Sequence, residues 1–292
     1  MRSRSPTCCS PVSLRRRAVV GAGLGLATAL LLASSVDTAL RTPTLIAVGD
    51  IASCRSDGDE QTAALVGGLP GPIAVLGDIA YDNGTAADFA NCFDPSWGRL
   101  VPRIRAALGN HEYNSGTAAV AIDRFRLPTP GWYSYSVGAW HVIVLNSNCS
   151  KVGGCERGSP QWKWLQADLA SHRNRCILAY WHHARFSSGL HGSSVDYAPF
   201  WDLLARAKAD VVLQGHDHHY ERFAPLRGIR SFVVGTGGKS HYPTLLPRPG
   251  SAVRHADTYG VLRLTLRPAG FDWRFLPVAE TSFTDAGTAR CR

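Results

Sequence analysis

Five short apolar runs in this chain each end at a side chain able to bind a metal ion, and four of those five ends follow a glycine. The ends are Gly49-Asp50, Gly77-Asp78, Gly109-Asn110-His111, Trp181-His182 and Gly215-His216-Asp217-His218. The runs that lead into them are Thr44–Val48, Ile73–Leu76, Arg103–Leu108, Cys176–Trp181 and Asp210–Leu213. Their length and apolar character predict short buried strands. Helical patterns lie between them: Gln61–Val66, Phe200–Ala207, and Pro160–Leu169 with Ser159 as N-cap and Pro160 in its first turn. Short strands alternating with helices predict an α/β layered core. Tyr133–Val137 with His141–Leu145, and Tyr259–Leu266 with Phe271–Leu276, read as hairpins around Gly138 and Gly270, and Phe232–Val234 as a further strand.

In open α/β sheets, ligands gather beyond the carboxyl ends of the strands. The preceding glycine is expected to let the backbone turn tightly there. Asp, Asn and His are hard to borderline donors, suited to Fe, Mn and Zn, and a set of this size can hold two ions. Each fragment alone is weak. A Gly-Asp after a strand is most often a turn, and His-x-His occurs in many unrelated chains. Gly109-Asn110-His111-Glu112 is the most specific single piece. Together and in this order, the five leave little room for a reading as turns and packing.

The remaining features bound the setting. Of the 292 residues 45% are apolar, 18% are charged and 8 are Trp, enough to build a globular core. No internal repeat or linker interrupts the chain after residue 39, so residues 40–292 are expected to form one domain. The net charge is +9, but residues 1–39 hold five Arg against Asp37, and 9 − 4 leaves +5 spread without blocks. That balance attracts anions in general; with no nucleic-acid motif, no nucleic-acid partner is expected. Arg15-Arg16-Arg17, the apolar Ala18–Ala33 and the small residues up to Ala39 have the order of an export signal, ordinary or twin-arginine, with cleavage near Ala39. A secreted or cell-envelope protein without a membrane span is the expectation. Six cysteines follow the leader: Cys54, Cys92, Cys149, Cys155, Cys176 and Cys291. Six allow 15 pairings. Cys149 and Cys155 bracket a glycine-containing loop and are expected to close on each other; the other four allow three pairings, of which Cys54–Cys92 with Cys176–Cys291 is one candidate.

The ordered set from Asp50 to His218, with Gly235-Thr236-Gly237-Gly238 trailing, resembles the motif series of the calcineurin-like metallophosphoesterases. Many members carry Asp-x-His at the first motif, where this chain has Asp50-Ile51-Ala52. Purple acid phosphatases share that absence and place a Tyr in Gly-Asp-x-x-Tyr, matched here by Gly77-Asp78-Ile79-Ala80-Tyr81. Gly215-His216-Asp217-His218-His219-Tyr220-Glu221-Arg222 is similar to their Gly-His-x-His-x-Tyr-Glu-Arg. The resemblance implies a four-layer αββα sandwich, two mixed sheets flanked by helices. It implies that Asp50, Asp78, Tyr81 and His218 hold a first ion, ferric iron, and that Asp78 bridges to a divalent Zn, Mn or Fe held also by Asn110, His182 and His216. His183 is the fallback for His182. His111 and His191 would serve as catalytic groups beside the phosphate, with Arg185 a further contact. The implied reaction is hydrolysis of a phosphomonoester by water activated at a two-metal centre. Alternatives are a phosphodiesterase with the same centre and a silent phosphate- or metal-binding protein. His183 and Ala184 depart from the residues expected after the ligand His. No G-x-S-x-G nucleophile signature is present.

Overall fold

The computed structural model describes residues 42–172, 176–278 and 283–292. The expected export segment 1–39 lies outside the described residues. Thirteen strands are present among them: β1 (Thr44–Val48), β2 (Ile73–Leu76), β3 (Ile104–Ala107), β4 (Tyr133–Val137), β5 (Trp140–Val144), β6 (Cys176–Tyr180), β7 (Val211–Gln214), β8 (Tyr220–Phe223), β9 (Arg230–Val234), β10 (Ser251–His255), β11 (Gly260–Arg267), β12 (Gly270–Pro277) and β13 (Ala286–Arg290). They form two mixed sheets, ordered β13-β12-β11-β1-β2-β3 and β10-β8-β9-β7-β6-β5-β4. In the first, β1, β2 and β3 run parallel and β11 joins β1 antiparallel. In the second, β5, β6, β7 and β9 run parallel, with antiparallel strands on both flanks.

Side chains alternate across a strand with period two, and that alternation builds the layers. On β1, Leu45 and Ala47 enter a core shared with Leu178, Leu213 and Phe232 of the other sheet. Ile46 and Val48 face away and pack with Ala63 and Val66 of the helix Gly58–Gly67 and with Phe93 and Trp97. On the second sheet, Ile143, Ala179 and Val212 face outward onto Leu165, Phe200 and Leu204 of the helices Pro160–Ser171 and Ala198–Arg206. The result is helix, sheet, sheet, helix, and the central strands are apolar on both faces because both faces are covered. Burying each large apolar side chain contributes about 1.5–3 kcal/mol.

Ser159 caps Pro160–Ser171, its side chain accepting from the Trp162 amide, with Pro160 in the first turn. The three cysteine pairs form as Cys54–Cys92, Cys149–Cys155 and Cys176–Cys291. The last spans 115 residues and ties β6 to the chain end after β13. In the chain-entropy model a loop that long is worth about 4–5 kcal/mol. Strands β8, β10 and β13 escaped the sequence reading. β8 has Glu221 and Arg222 at its middle, and β10 and β13 are sheet edges with no buried side chain, so none of the three carries an apolar run.

Candidate metal centre

The carboxyl ends of β1, β2, β3, β6 and β7 converge on one point. Asp50, Asp78, Asn110, His182 and His216 follow those strands within three residues. The two sheets are stitched there: the Gly49 amide donates to the Val234 carbonyl at 2.9 Å, and the Gly237 amide to the Gly49 carbonyl at 2.9 Å. All seven residues expected to ligate metal come together.

They fall into two sets that share one atom. In the first, the Tyr81 hydroxyl lies 3.0 Å from Asp50 Oδ1, 3.0 Å from Asp78 Oδ2 and 3.3 Å from His218 Nε2. His218 Nε2 is 3.4 Å from Asp50 Oδ1. In the second, His182 Nε2 lies 3.3 Å from the same Asp78 Oδ2, 3.2 Å from Asn110 Oδ1 and 3.1 Å from His216 Nδ1. Bonds of about 2.0–2.2 Å to one ion place neighbouring donors about 3.0–3.5 Å apart. Both sets have that spacing, so the residues present fit two ions joined through Asp78.

The ring nitrogens are presented correctly as well. His182 Nδ1 lies 2.8 Å from the Leu76 carbonyl, which can only accept. Nδ1 therefore keeps its proton, and Nε2 is the nitrogen that faces the donor set, its lone pair available once the ring is neutral. His218 Nδ1 lies 2.8 Å from Ser240 Oγ, a hydroxyl that can donate or accept, which orients the ring with Nε2 toward the donor set.

Of the four glycines that precede candidate ligands, only Gly77 takes the left-handed backbone of the expected turn, at φ 91°. Asp50, Asp78 and His216 themselves adopt left-handed backbone, at φ 61°, 49° and 72°. Such strain in non-glycine residues clusters at functional sites. What glycine supplies at positions 109 and 215 is clearance. A Cβ at Gly109 would sit 2.1 Å from Asp78 Oδ1, and one at Gly215 would sit 2.7 Å from Asp50 Oδ2. Fully buried Glu112 fixes the turn, accepting from the amides of Asp78 (3.0 Å), Ile79 (2.7 Å) and Gly109 (2.8 Å). This explains why Glu112 belongs with Gly109-Asn110-His111.

Comparison with known proteins agrees with this geometry. Residues 43–220 match the model of the family described as calcineurin-like phosphoesterase. This chain belongs to that family. It is similar to an uncharacterized protein of Mycobacterium tuberculosis (30% identical over 201 residues, 58% of this chain and 37% of the other). It is also similar to purple acid phosphatase 15 of Arabidopsis thaliana (24% identical, 73% of this chain and 47% of the other). The chain thus spans less than half the length of these curated relatives. The solved purple acid phosphatase of Lupinus luteus shares its fold, with TM-score 0.71, 18% identity, and coverage of 84% of this chain and 53% of that one. Within the calcineurin-like phosphoesterases the protein is purple acid phosphatase-like.

Charge in this calcineurin-like site is tightly coupled. Burial would raise the Asp78 pKa, but the His182 charge and hydrogen bond, with His111, hold it well below the usual carboxylate range. Burial works against a charged His182, yet Asp78 pushes it up to about 9. Burial, then His182, hold His183 at about 3 and keep His216 neutral. Burial, then the carboxylates of Asp50 and Asp78, keep the Tyr81 phenol protonated in the metal-free protein.

The two expected catalytic histidines reach the same point from opposite sides. His111 Nδ1 faces the Asp82 carbonyl, so its Nε2, 3.7 Å from Asp78 Oδ2, is the atom free to exchange a proton. The exposed His191 ring lies 4.1 Å from the His216 ring. His183 pairs with Ser147 Oγ at 2.8 Å and walls the site beside His216. Arg185 turns away, its guanidinium 4.3 Å over the Phe186 ring. Sequence reasoning missed three residues just past Gly235-Thr236-Gly237-Gly238. Lys239 Nζ stands 4.5 Å over the Tyr81 ring and 2.8 Å from Asp82 Oδ1. Ser240 orients His218 as above. Tyr242 stacks on His218 at 4.0 Å. Their only signal was position after the glycine run. Two other groups with metal-type donors are accounted for otherwise. Cys176 and Cys291 beside Asp210 are joined as a disulfide. His141, Asp168 and His172 form a hydrogen-bonded brace, with His141 Nε2 2.6 Å and Ser134 Oγ 2.7 Å from the carboxylate.

Proposed function

We propose that this protein is an exported phosphatase that hydrolyses phosphomonoesters at a two-metal centre. The observation that carries the reading is the pair of donor sets sharing Asp78 Oδ2. Asp50, Asp78, Tyr81 and His218 would hold one ion, and Asp78, Asn110, His182 and His216 the other. Bound there, two cations would neutralise the ester's negative charge and acidify water for attack. Tyr81 is the donor that favours ferric iron for the first ion, because a phenolate is hard and anionic; the second set, of Asn and His with Asp78, suits Zn, Mn or Fe(II).

The protein's own groups do the rest. His111 Nε2 and His191 stand on the open side and would supply a proton to the departing alcohol or hydrogen-bond the phosphate. His183 and His216, kept neutral, leave their lone pairs available. A cleft of about 440 Å³, lined in part by Asn110, Asn114, Ser147, His183 and Tyr197, opens from the Asn110 side and gives the alcohol room. Export is supported by the leader order of residues 1–39 and by three disulfides, which persist in oxidising compartments. Among the described residues, no helix is long and apolar enough to cross a membrane.

The test is hydrolysis of a nitrophenyl phosphate monoester and of the matching diester by the metal-loaded protein, with Asp78→Asn as control. Monoester turnover abolished by the control is the expected result. Turnover of the diester alone makes the protein a phosphodiesterase, and turnover of neither across a pH and metal screen removes the phosphatase reading.

A further inference from the structure

His191 reaches the centre on a segment, 184–194, that has no helix or strand. An irregular segment holds a side chain in place only if something outside it fixes the backbone. Here the anchor is the residue between two candidate ligands. Asp217, flanked by His216 and His218, is fully buried. Its Oδ1 accepts from the His191 amide at 2.9 Å. Its Oδ2 accepts from the Gly192 amide at 3.2 Å and from Ser187 Oγ at 2.5 Å. Ser187 Oγ in turn accepts from the Gly189 amide at 3.0 Å. The packing is close enough that a Cβ on Gly189 would sit 2.4 Å from Asp217 Cγ.

Among the described residues, every hydrogen-bond donor to this carboxylate belongs to residues 187–192. A second buried carboxylate, Glu221 on β8, holds the neighbouring Ser188 through its amide and its hydroxyl, both at 2.7 Å. The stretch from His216 to Glu221 therefore carries two candidate ligands and both anchors of the histidine loop.

We propose that Asp217 is a positioning residue: it sets His191 against the substrate side of the centre by binding the loop backbone, locking loop and ligand segment into one unit. The proposal rests on the reading of His191 as a substrate contact. It gives the middle residue of His216-Asp217-His218 a role separate from metal binding. Misplacing a catalytic or binding group by about 1 Å costs on the order of 10²-fold in rate.

The experiment is a double-mutant cycle on the full, metal-loaded chain. His191→Ala, Asp217→Asn and the double variant are compared for kcat and KM on nitrophenyl phosphate. Metal content is measured by elemental analysis, and hydrogen exchange is followed over residues 187–192. Asp217→Asn is expected to lower kcat/KM by about 10- to 100-fold, keep wild-type metal content and raise exchange in 187–192 but not in β1 or β6. In the His191→Ala background the same change should cost less than about twofold, because the two act through one group. An equal loss in both backgrounds, or loss of metal from Asp217→Asn, overturns the proposal while the reading of His191 stands. A His191→Ala enzyme as active as wild type removes that reading and the proposal with it. If Asp217→Asn does not fold, Ser187→Ala removes one bond of the clamp and carries the same test. Its expected loss is a few-fold, vanishing in the His191→Ala background.

Discussion

The two halves of the centre are built from similar donors but stand in different surroundings. Around Tyr81 everything is closed: Asp50 is 0%, His218 2% and Tyr81 3% exposed. Lys239 covers the Tyr81 ring and Tyr242 covers His218. On the other side His182 is buried, but Asn110 and His216 are half-exposed and the cleft beside Asn110 opens to solvent. The enclosed half suits an ion that stays; the open half suits one that exchanges and meets substrate. Asp78 belongs to both, which explains why its environment is the most tightly specified.

Removing Asp78 should do the most damage, because it removes the asymmetry by emptying both halves. Asp78→Asn is expected to cost on the order of 10³-fold or more in kcat, with elemental analysis finding less than one ion per chain. Two ions retained at full occupancy would refute the shared-atom geometry.

Next in size, Tyr81→Phe and Asn110→Ala should separate the halves. The first is expected to abolish a visible charge-transfer band. The second should keep the band while lowering activity on the order of 10²-fold. A colourless, fully active wild-type protein would exclude ferric iron and leave two ions standing. A chelator titration sharpens the same point. One ion should leave quickly from the open half and take the activity with it, and the second should leave slowly. Two ions departing together would erase the distinction.

A smaller effect concerns the metal-free protein. Asp78 lifts His182 from its usual 6.5 to about 9. A histidine whose folded pKa is raised stabilises fully below pH 6.5, and that stability is lost as pH rises from 6.5 through 9. The depressed Asp78 carboxyl acts oppositely, losing stability only when pH falls below the usual carboxylate range. The metal-free Tm should therefore drop between pH 6.5 and 9, on the order of 5 °C. The loaded protein should not show this drop, because a ligating histidine is already neutral. A flat metal-free profile would mean that the Asp78–His182 pair is not ionised.

The fold was legible wherever burial writes itself into the sequence. β1, β2, β6 and β7 match the apolar runs to within a residue or so, because strands covered on both faces tolerate little else. β10 and β13 left no such trace, since an edge strand is specified by its neighbour's backbone rather than by its own side chains. The candidate ligands converge for a different reason. Asp50, Asp78, Asn110, His182 and His216 stand within three residues of a strand's carboxyl end, so the order of the strands also orders the site. Lys239, Ser240 and Tyr242 were not legible: they reach His218 and Tyr81 across the sheets from a stretch without regular structure, and nothing local in Lys-Ser-His-Tyr signals that approach.

By itself the sequence determined the layered α/β architecture, the donor types and their order along the chain, because these depend on periodicity and on residue chemistry. Only the tertiary structure decided which candidate donor atoms lie together, that glycines 109 and 215 supply clearance rather than a turn, that Glu112 and Asp217 bind the backbone of neighbouring segments, and that one half of the centre is closed and the other open. Those are distances between segments far apart in the chain, such as Asp50 and the His216 amide it binds at 2.9 Å, 166 residues away. No local pattern encodes a contact that exists only once both sheets have packed.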